Sequence, residues 1–257
     1  MIAVTLVQPD INWENVDANL ARYVAIFESF HEPVDVVFLP ELFSTGFTMR
    51  SRDLAEPMDG RTMEWMAEQA YKYKCNLAGS VIIRESGNFY NRLIWMRQDA
   101  SYHYYDKRHL FRMSGEHEHY SPGEKPLVVE LKGFRFRPLV CYDLRFPVWS
   151  RNQGDYDVLV YIANWPSQRR EVWNTLLKAR ALENQAYTIG VNRVGQDGMG
   201  IEYNGETMAF DAKGNQLTCL EPGFKGFKTI QLSLERLNAF REKFPVWRDA
   251  DPFRFDD

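Results

Sequence analysis

The chain has only three cysteines, Cys75, Cys141 and Cys219, odd in number and widely spaced. That excludes a disulfide framework and a CxxC-type metal site, since both need thiols in close pairs. No stretch approaches the roughly 20 apolar residues that span a bilayer. The opening run, Met1-Ile2-Ala3-Val4-Thr5-Leu6-Val7-Gln8, has no basic segment before its short apolar core, so it reads as a strand and not a signal peptide. A strong excess of one charge is also missing. A net charge of -4 gives no electrostatic case for nucleic acid or for an anionic membrane. No linker, repeat or low-complexity tract interrupts the 257 residues, so a single domain over 1–257 in a soluble, cytoplasmic protein is expected. What is present is ordinary globular material, 45% hydrophobic and 14% aromatic, enough for a large core.

One stretch stands out: Leu139-Val140-Cys141-Tyr142-Asp143-Leu144-Arg145-Phe146-Pro147. Apolar residues run into a lone cysteine, a short polar turn follows, and Pro147 breaks the chain. A buried strand ending on Cys141 would hold the sulfur at a fixed point, with free backbone N–H groups in the turn beyond it. The structural alternative is a core cysteine acting as a small hydrophobe.

The rest of the chain supplies partners. Residues 2–8 read as a strand, 15–30 as a helix with one apolar stripe, and 34–41 as a second strand that closes on Glu41. This is a β-α-β unit, so the two strands are expected to be parallel. Glu41 either leaves the core for solvent there, or sits among Leu42, Phe43 and Phe47 with a raised pKa suited to a general base. Residues 62–74 read as a helix with Met63, Met66, Ala67, Ala70 and Tyr71 on one face. Strands over 76–84, 92–97 and 102–107 follow, with a turn at Ser86-Gly87-Asn88, and the last delivers Lys107. Lys107 must point inward, in alternation with Tyr102 and Tyr104, to have a function. The polar loop over 112–126 contains Glu116, His117, Glu118 and His119, whose spacing is not that of a metal-binding HExxH helix. Beyond it come strands over 127–132, 135–142 and 156–163, a helix over 171–187, a strand over 188–193, a strand over 203–211 that turns at 212–215 into 216–220, and a closing strand and short helix from 227.

A carboxylate, an amine and a thiol at strand ends on one sheet edge can hydrolyse a C–N bond. Glu41 takes the thiol proton, Cys141 attacks an amide or nitrile carbon, and Lys107 with the backbone N–H of Tyr142 stabilises the charge on the substrate heteroatom. Neither histidine, metal nor cofactor is called for.

These motifs carry a resemblance. Leu39-Pro40-Glu41-Leu42-Phe43, Tyr105-Asp106-Lys107-Arg108-His109-Leu110-Phe111 and Val140-Cys141-Tyr142-Asp143-Leu144-Arg145-Phe146-Pro147 stand in the order and at the separations of the nitrilase (carbon–nitrogen hydrolase) superfamily, which the chain resembles. Ala163-Asn164-Trp165-Pro166, Arg180-Ala181-Leu182-Glu183-Asn184, Asn192-Arg193 and Tyr203-Asn204-Gly205-Glu206-Thr207 extend the likeness over almost the whole chain. The resemblance implies a four-layer α-β-β-α sandwich and a Glu–Lys–Cys triad on Glu41, Lys107 and Cys141. It also implies a second glutamate six residues before Pro122-Gly123, at Glu116 with Glu118 the neighbouring alternative, orienting Lys107 and the attacking water. Pairing into a homodimer, or a higher homo-oligomer, is implied too; the apolar residues Phe146, Val148 and Trp149 are the expected contact.

Within the superfamily the chain is most similar to the bacterial omega-amidase branch, through Ser44-Thr45-Gly46-Phe47-Thr48-Met49, Gly115-Glu116-His117-Glu118-His119-Tyr120 and the tail from Phe244 to Asp251. The implied substrate is a small-molecule amide, a short dicarboxylic acid monoamide such as 2-oxoglutaramate. Its far carboxylate needs a cation, and Arg145, four residues past Cys141, is the candidate. Bracing of the turn, against Asp143 or a dimer partner, is the alternative use of that arginine. Phe43 and Trp165 complete the candidate substrate contacts. The same chemistry would also serve an N-carbamoyl amine hydrolase, a nitrilase or an amidase of deaminated glutathione. A sandwich kept only as an interaction module is the non-enzymatic alternative.

Overall fold

A computed structural model describes residues 1–255. In chain order it contains β1 (Ile2–Gln8), α1 (Val16–Glu28), β2 (Val36–Phe38), α2 (Ser51–Leu54), α3 (Arg61–Tyr73), β3 (Asn76–Glu85), β4 (Asn88–Met96), β5 (Tyr102–Asp106) and α4 (Glu116–His119). Then come β6 (Val129–Leu131), β7 (Phe134–Val140), α5 (Pro147–Ser150), β8 (Val158–Ile162), α6 (Arg170–Asn184) and β9 (Tyr187–Val191). The chain closes with β10 (Val194–Gln196), β11 (Glu202–Asn204), β12 (Met208–Phe210), β13 (Gln216–Cys219), β14 (Gly226–Leu232) and α7 (Leu234–Lys243).

The strands form two six-stranded sheets, ordered β14-β1-β2-β3-β4-β5 and β13-β12-β9-β8-β7-β6, with β10 and β11 paired apart from both. Each sheet has a parallel centre, β1-β2-β3 in one and β7-β8-β9 in the other, flanked by antiparallel strands. The period of two in a strand explains the layering. Ile2, Val4 and Leu6 of β1, with Val36 and Phe38 of β2, face the second sheet and share one core with Leu139, Val160 and Ile189. Val7 and Val37 point the other way, onto Tyr23 and Phe27 of α1 and Met63, Met66 and Ala70 of α3. Both faces of the central strands are therefore buried, which is why they read as unbroken apolar runs. On the outside of the second sheet α6 packs so closely that a Cβ on Gly190 would meet Leu177 at 2.3 Å and Trp173 at 2.6 Å. The result is the expected α-β-β-α sandwich. No helix among the described residues is long and apolar enough to cross a membrane.

Several expectations change in detail. The second strand is only three residues long and stops short of Glu41. Tyr71 is 76% exposed, and Trp65 and Gln69 complete the buried face of α3 in its place. Leu182, at helical spacing with Trp173, Leu176, Leu177 and Ala181 on the helix predicted over 171–187, is exposed. The segment 203–211 is not one strand: β11 pairs with β10, and β12 joins the second sheet, because Gly205 and Glu206 at positive φ turn the chain between them. Residues 116–119 form a helical turn inside the supposed loop. Trp149 belongs to the core and is covered by Phe255, with ring centres 5.1 Å apart, so of the three expected contact residues Val148 alone is exposed, and Phe146 is half-buried.

Candidate active site

Glu41 lies three residues beyond β2, in a turn held by Ser80: its hydroxyl accepts from the Leu42 N–H at 2.7 Å and its carbonyl from the Phe43 N–H at 3.2 Å. The carboxylate is fully buried. It is not surrounded by hydrocarbon alone. Asn91 Nδ2 and Lys107 Nζ each donate to Oε1 at 2.8 Å, and the Asn164 N–H donates to Oε2 at 2.9 Å.

Lys107 follows β5 directly and keeps the strand's alternation, with Tyr105 and Lys107 inward and Tyr102 and Tyr104 outward. Its backbone is fixed on both sides. Its N–H donates to the Asn91 carbonyl at 3.0 Å, and its carbonyl accepts from the Gly123 N–H at 3.0 Å. Only glycine fits at 123, where a Cβ would stand 2.1 Å from the Asp106 carbonyl oxygen. The ammonium donates to both oxygens of Glu116, at 2.9 and 3.0 Å. Glu116 is buried in the first turn of α4 and also accepts the Phe111 N–H at 2.5 Å. Glu118, one turn-face away, is exposed to solvent, so the structure brings Glu116 and not Glu118 to Lys107.

Cys141 does not end the strand. β7 stops at Val140, and Cys141 opens a 3₁₀ turn, Cys141–Arg145, with its own φ at +46°. Its sulfur lies 3.9 Å from the Asn164 carbonyl and faces a cavity of about 300 Å³. Glu41, Lys107, Tyr142, Arg145 and Trp165 share the lining of that cavity. Phe43 does not line it. The turn sends that ring outward into the α1/α3 core, 5.5 Å from Tyr23 and 5.8 Å from Trp65.

The charges act on one another. Burial pushes the Cys141 thiol well up, and the Glu41 charge adds to this against the opposing pull of Lys107. Burial would lower the Lys107 pKa, but the carboxylates of Glu116 and Glu41 outweigh it and hold the ammonium charged. Burial likewise raises Glu116, with Lys107 opposing. The site therefore favours a neutral thiol beside two carboxyl groups that share one ammonium.

Arg145 lies over the Trp165 ring, 5.4 Å from its centre, and makes no ion pair among the described residues. Asp143, its expected brace, is occupied by Tyr105 and His109. Trp165 is itself pinned, its N–H donating to Asn192 Oδ1 at 2.8 Å and its indole N–H to the Arg169 carbonyl at 2.9 Å. A second guanidinium, Arg169, lines the same cavity.

Asn91, Asn164 and Arg169 had been assigned no role from sequence. Asn164 had a usable signal, since it follows a buried strand at the same sheet edge as the other site residues. Asn91 lies inside β4 and carries none.

A family model described as carbon-nitrogen hydrolase matches residues 3–242. Omega-amidase YafV of Yersinia enterocolitica is 44% identical over 98% of each chain. The 2-oxoglutaramate amidase of Bacillus subtilis is 32% identical over 96% of each. Among solved structures, XC1258 of Xanthomonas campestris, a CN-hydrolase superfamily protein, superimposes with a TM-score of 0.96 at 40% identity over 99% of both chains.

Proposed function

The chain belongs to the carbon–nitrogen hydrolase family, and from that premise we propose that it is an omega-amidase, releasing ammonia from the terminal amide of a short dicarboxylic monoamide such as 2-oxoglutaramate. The observation that carries the reading is the buried Glu41–Lys107–Glu116 cluster beside Cys141, in a cavity that is also lined by Arg145, a guanidinium with no ion-pair partner among the described residues.

Glu41 accepts the thiol proton as the sulfur attacks the amide carbon. A neutral resting thiol suits this, because the proton moves only when the substrate has arrived. The C–S bond forms and the carbonyl electron pair moves to oxygen, where Lys107 Nζ and the Tyr142 N–H receive it. Glu41 then gives its proton to the departing nitrogen, the C–N bond breaks and ammonia leaves a thioester. Glu41 next deprotonates a water, which attacks the thioester carbon. The collapse returns the sulfur to a thiol and releases the second carboxylate. Glu116 grips Lys107 with both oxygens, and Asn91 and Asn164 aim Glu41.

Glu41 and Glu116 both turn their carboxyl groups on the Lys107 ammonium, so the reacting end offers no free cation to a substrate carboxylate. Arg145, which lines the same cavity, orients it. Each charge-assisted hydrogen bond there is worth about 1.5–3 kcal/mol. Phe43, being outside the cavity, has no part in this. The three unpaired cysteines support a cytoplasmic location, and we extend the reading to a homodimer.

Arg145→Lys tests the substrate assignment. KM should rise far more for 2-oxoglutaramate than for an uncharged amide of equal length. Equal losses on both would remove Arg145 from the substrate. Better turnover of an N-carbamoyl amine or an aliphatic nitrile by the unaltered enzyme would overturn the omega-amidase reading.

A further inference from the structure

The site is assembled from two sheets. Glu41 and Lys107 follow strands of the first, while Cys141 and Asn164 follow strands of the second. Within a sheet the ladder fixes each residue; between sheets only side-chain packing resists sliding. Catalysis tolerates little of that, since a displacement of about 1 Å can cost roughly 10²-fold in rate. Some directional bond must set the two loops against each other. Asn164 does so for Glu41, donating its backbone N–H to the carboxylate and its Nδ2 to the Glu41 carbonyl at 2.6 Å.

We propose that Asp143 is the corresponding positioning residue for Lys107: it latches the loop that carries the lysine to the turn that carries Cys141. The side chain is fully buried and does not line the cavity, so it does not touch substrate. Its Oδ2 accepts the Tyr105 hydroxyl at 2.7 Å and the Val140 N–H at 3.0 Å. Its Oδ1 accepts the His109 N–H at 3.1 Å and lies 2.7 Å from His109 Nδ1. Tyr105 and His109 stand two residues before and two after Lys107, and Val140 immediately precedes Cys141. One carboxylate thus grips both flanks of the lysine and the base of the nucleophile.

The grip is itself braced. The Tyr105 oxygen accepts the Trp149 indole N–H at 3.0 Å and the Arg108 N–H at 3.2 Å. The His109 ring stacks on Phe146 at 3.8 Å and 8°. Four donors converge on two oxygens, which explains why the residue is an acid. An asparagine would offer one acceptor and turn its NH₂ toward groups that already donate.

The proposal rests on the reading of Lys107 as oxyanion donor, and the test separates the two. Asp143→Asn, His109→Gln and Lys107→Met are assayed on 2-oxoglutaramate, with the double variant Lys107→Met/His109→Gln. Asp143→Asn should lose about 10²-fold in kcat and His109→Gln about ten-fold, with KM moving less than about three-fold because the proposed binding groups, Arg145 and Trp165, are untouched. His109 is partly exposed, so its variant decides the matter if Asp143→Asn does not fold. If His109 acts through Lys107, adding His109→Gln to Lys107→Met should cost nothing more; a merely structural role would make the two losses multiply. Full kcat in His109→Gln, a KM change that matches the kcat change, or multiplying losses would overturn the latch. Full activity in Lys107→Met would instead overturn the oxyanion reading on which it rests.

Discussion

Cys141 sits at φ +46°, a left-handed conformation that costs a non-glycine residue about 1–2 kcal/mol. The strain lifts the sulfur off the line of β7 and into the cavity, which a regular strand end would not do. Cys141→Ala removes only the sulfur and should fold normally while losing turnover; Ala at Cys75 or Cys219 should leave kcat within a few-fold. Because burial and Glu41 hold the thiol above its ordinary value of 9.0, iodoacetamide should label Cys141 slowly at neutral pH and faster as the pH climbs past 9. A rate that levels off by pH 7 would mean a preformed thiolate and would sink the proton-transfer sequence proposed here. Cys75 is no rival, since its side chain is 2% exposed and lies outside the cavity that Cys141 faces. Lys107→Met should cost about 10²–10³ in kcat. It also leaves two buried carboxyl groups facing without their shared cation. Glu116, already raised by burial, then favours its neutral form, so its burial is tolerated at low pH and penalised as pH rises through its folded pKa. The Lys107→Met protein should therefore melt higher at pH 5 than at pH 8; the opposite order in differential scanning calorimetry would contradict the shared-charge account.

Among the elements, α7 is tied to the second sheet by one carboxylate. Asp157, just before β8, accepts Arg135 Nη2 at 3.0 Å from β7 and Arg241 Nη1 at 2.6 Å from α7. Burial would raise its pKa, but the bonds from Arg135 and Arg241 win and hold it below the usual 3.8. A depressed carboxyl contributes stability above its unfolded pKa and loses it as pH falls through the folded value. Asp157→Asn should accordingly lower stability at pH 7 by about 1–3 kcal/mol, the range for a charged hydrogen-bond partner removed from a buried site. Urea melts of the two proteins should draw together as pH falls from 3.8 through the lower folded value; a gap that stays constant over that descent would mean that Asp157 acts through packing and not charge.

At the scale of the molecule, the chain's two ends meet in one sheet. β14 lies antiparallel to β1, with Ile2 opposite Leu232 and Gln8 opposite Gly226. The C-terminal tail continues past α7 to place Phe255 on Trp149 and Arg108. Phe255 thus covers Trp149, one of the residues expected to join two copies, and Val148, Phe244, Val246 and Trp247 are among the apolar residues left exposed for a homodimer. Light scattering at micromolar concentration should report twice the 30.2 kDa chain mass. A strictly monomeric protein would end that proposal and leave the chemistry intact.

The sequence alone determined the layers, because buried parallel strands need unbroken apolar runs and packing helices need a stripe, and β1, α1, α3 and α6 supply them at those periods. It also marked Glu41 and Cys141, each a reactive side chain just after an apolar run, and Lys107, at the end of an alternating strand. Long-range geometry was not contained in those patterns. Whether Glu116 or Glu118 met Lys107 depended on the phase of a single helical turn. Phe43 left the site, and Trp149 the surface, because of what two other parts of the chain packed against them. Asn91, Asn164 and Asp143 act only through partners that lie between 3 and 123 residues away along the chain. Such hydrogen bonds have no periodicity to read, because most of them join parts of the chain that only the folded sheets bring together.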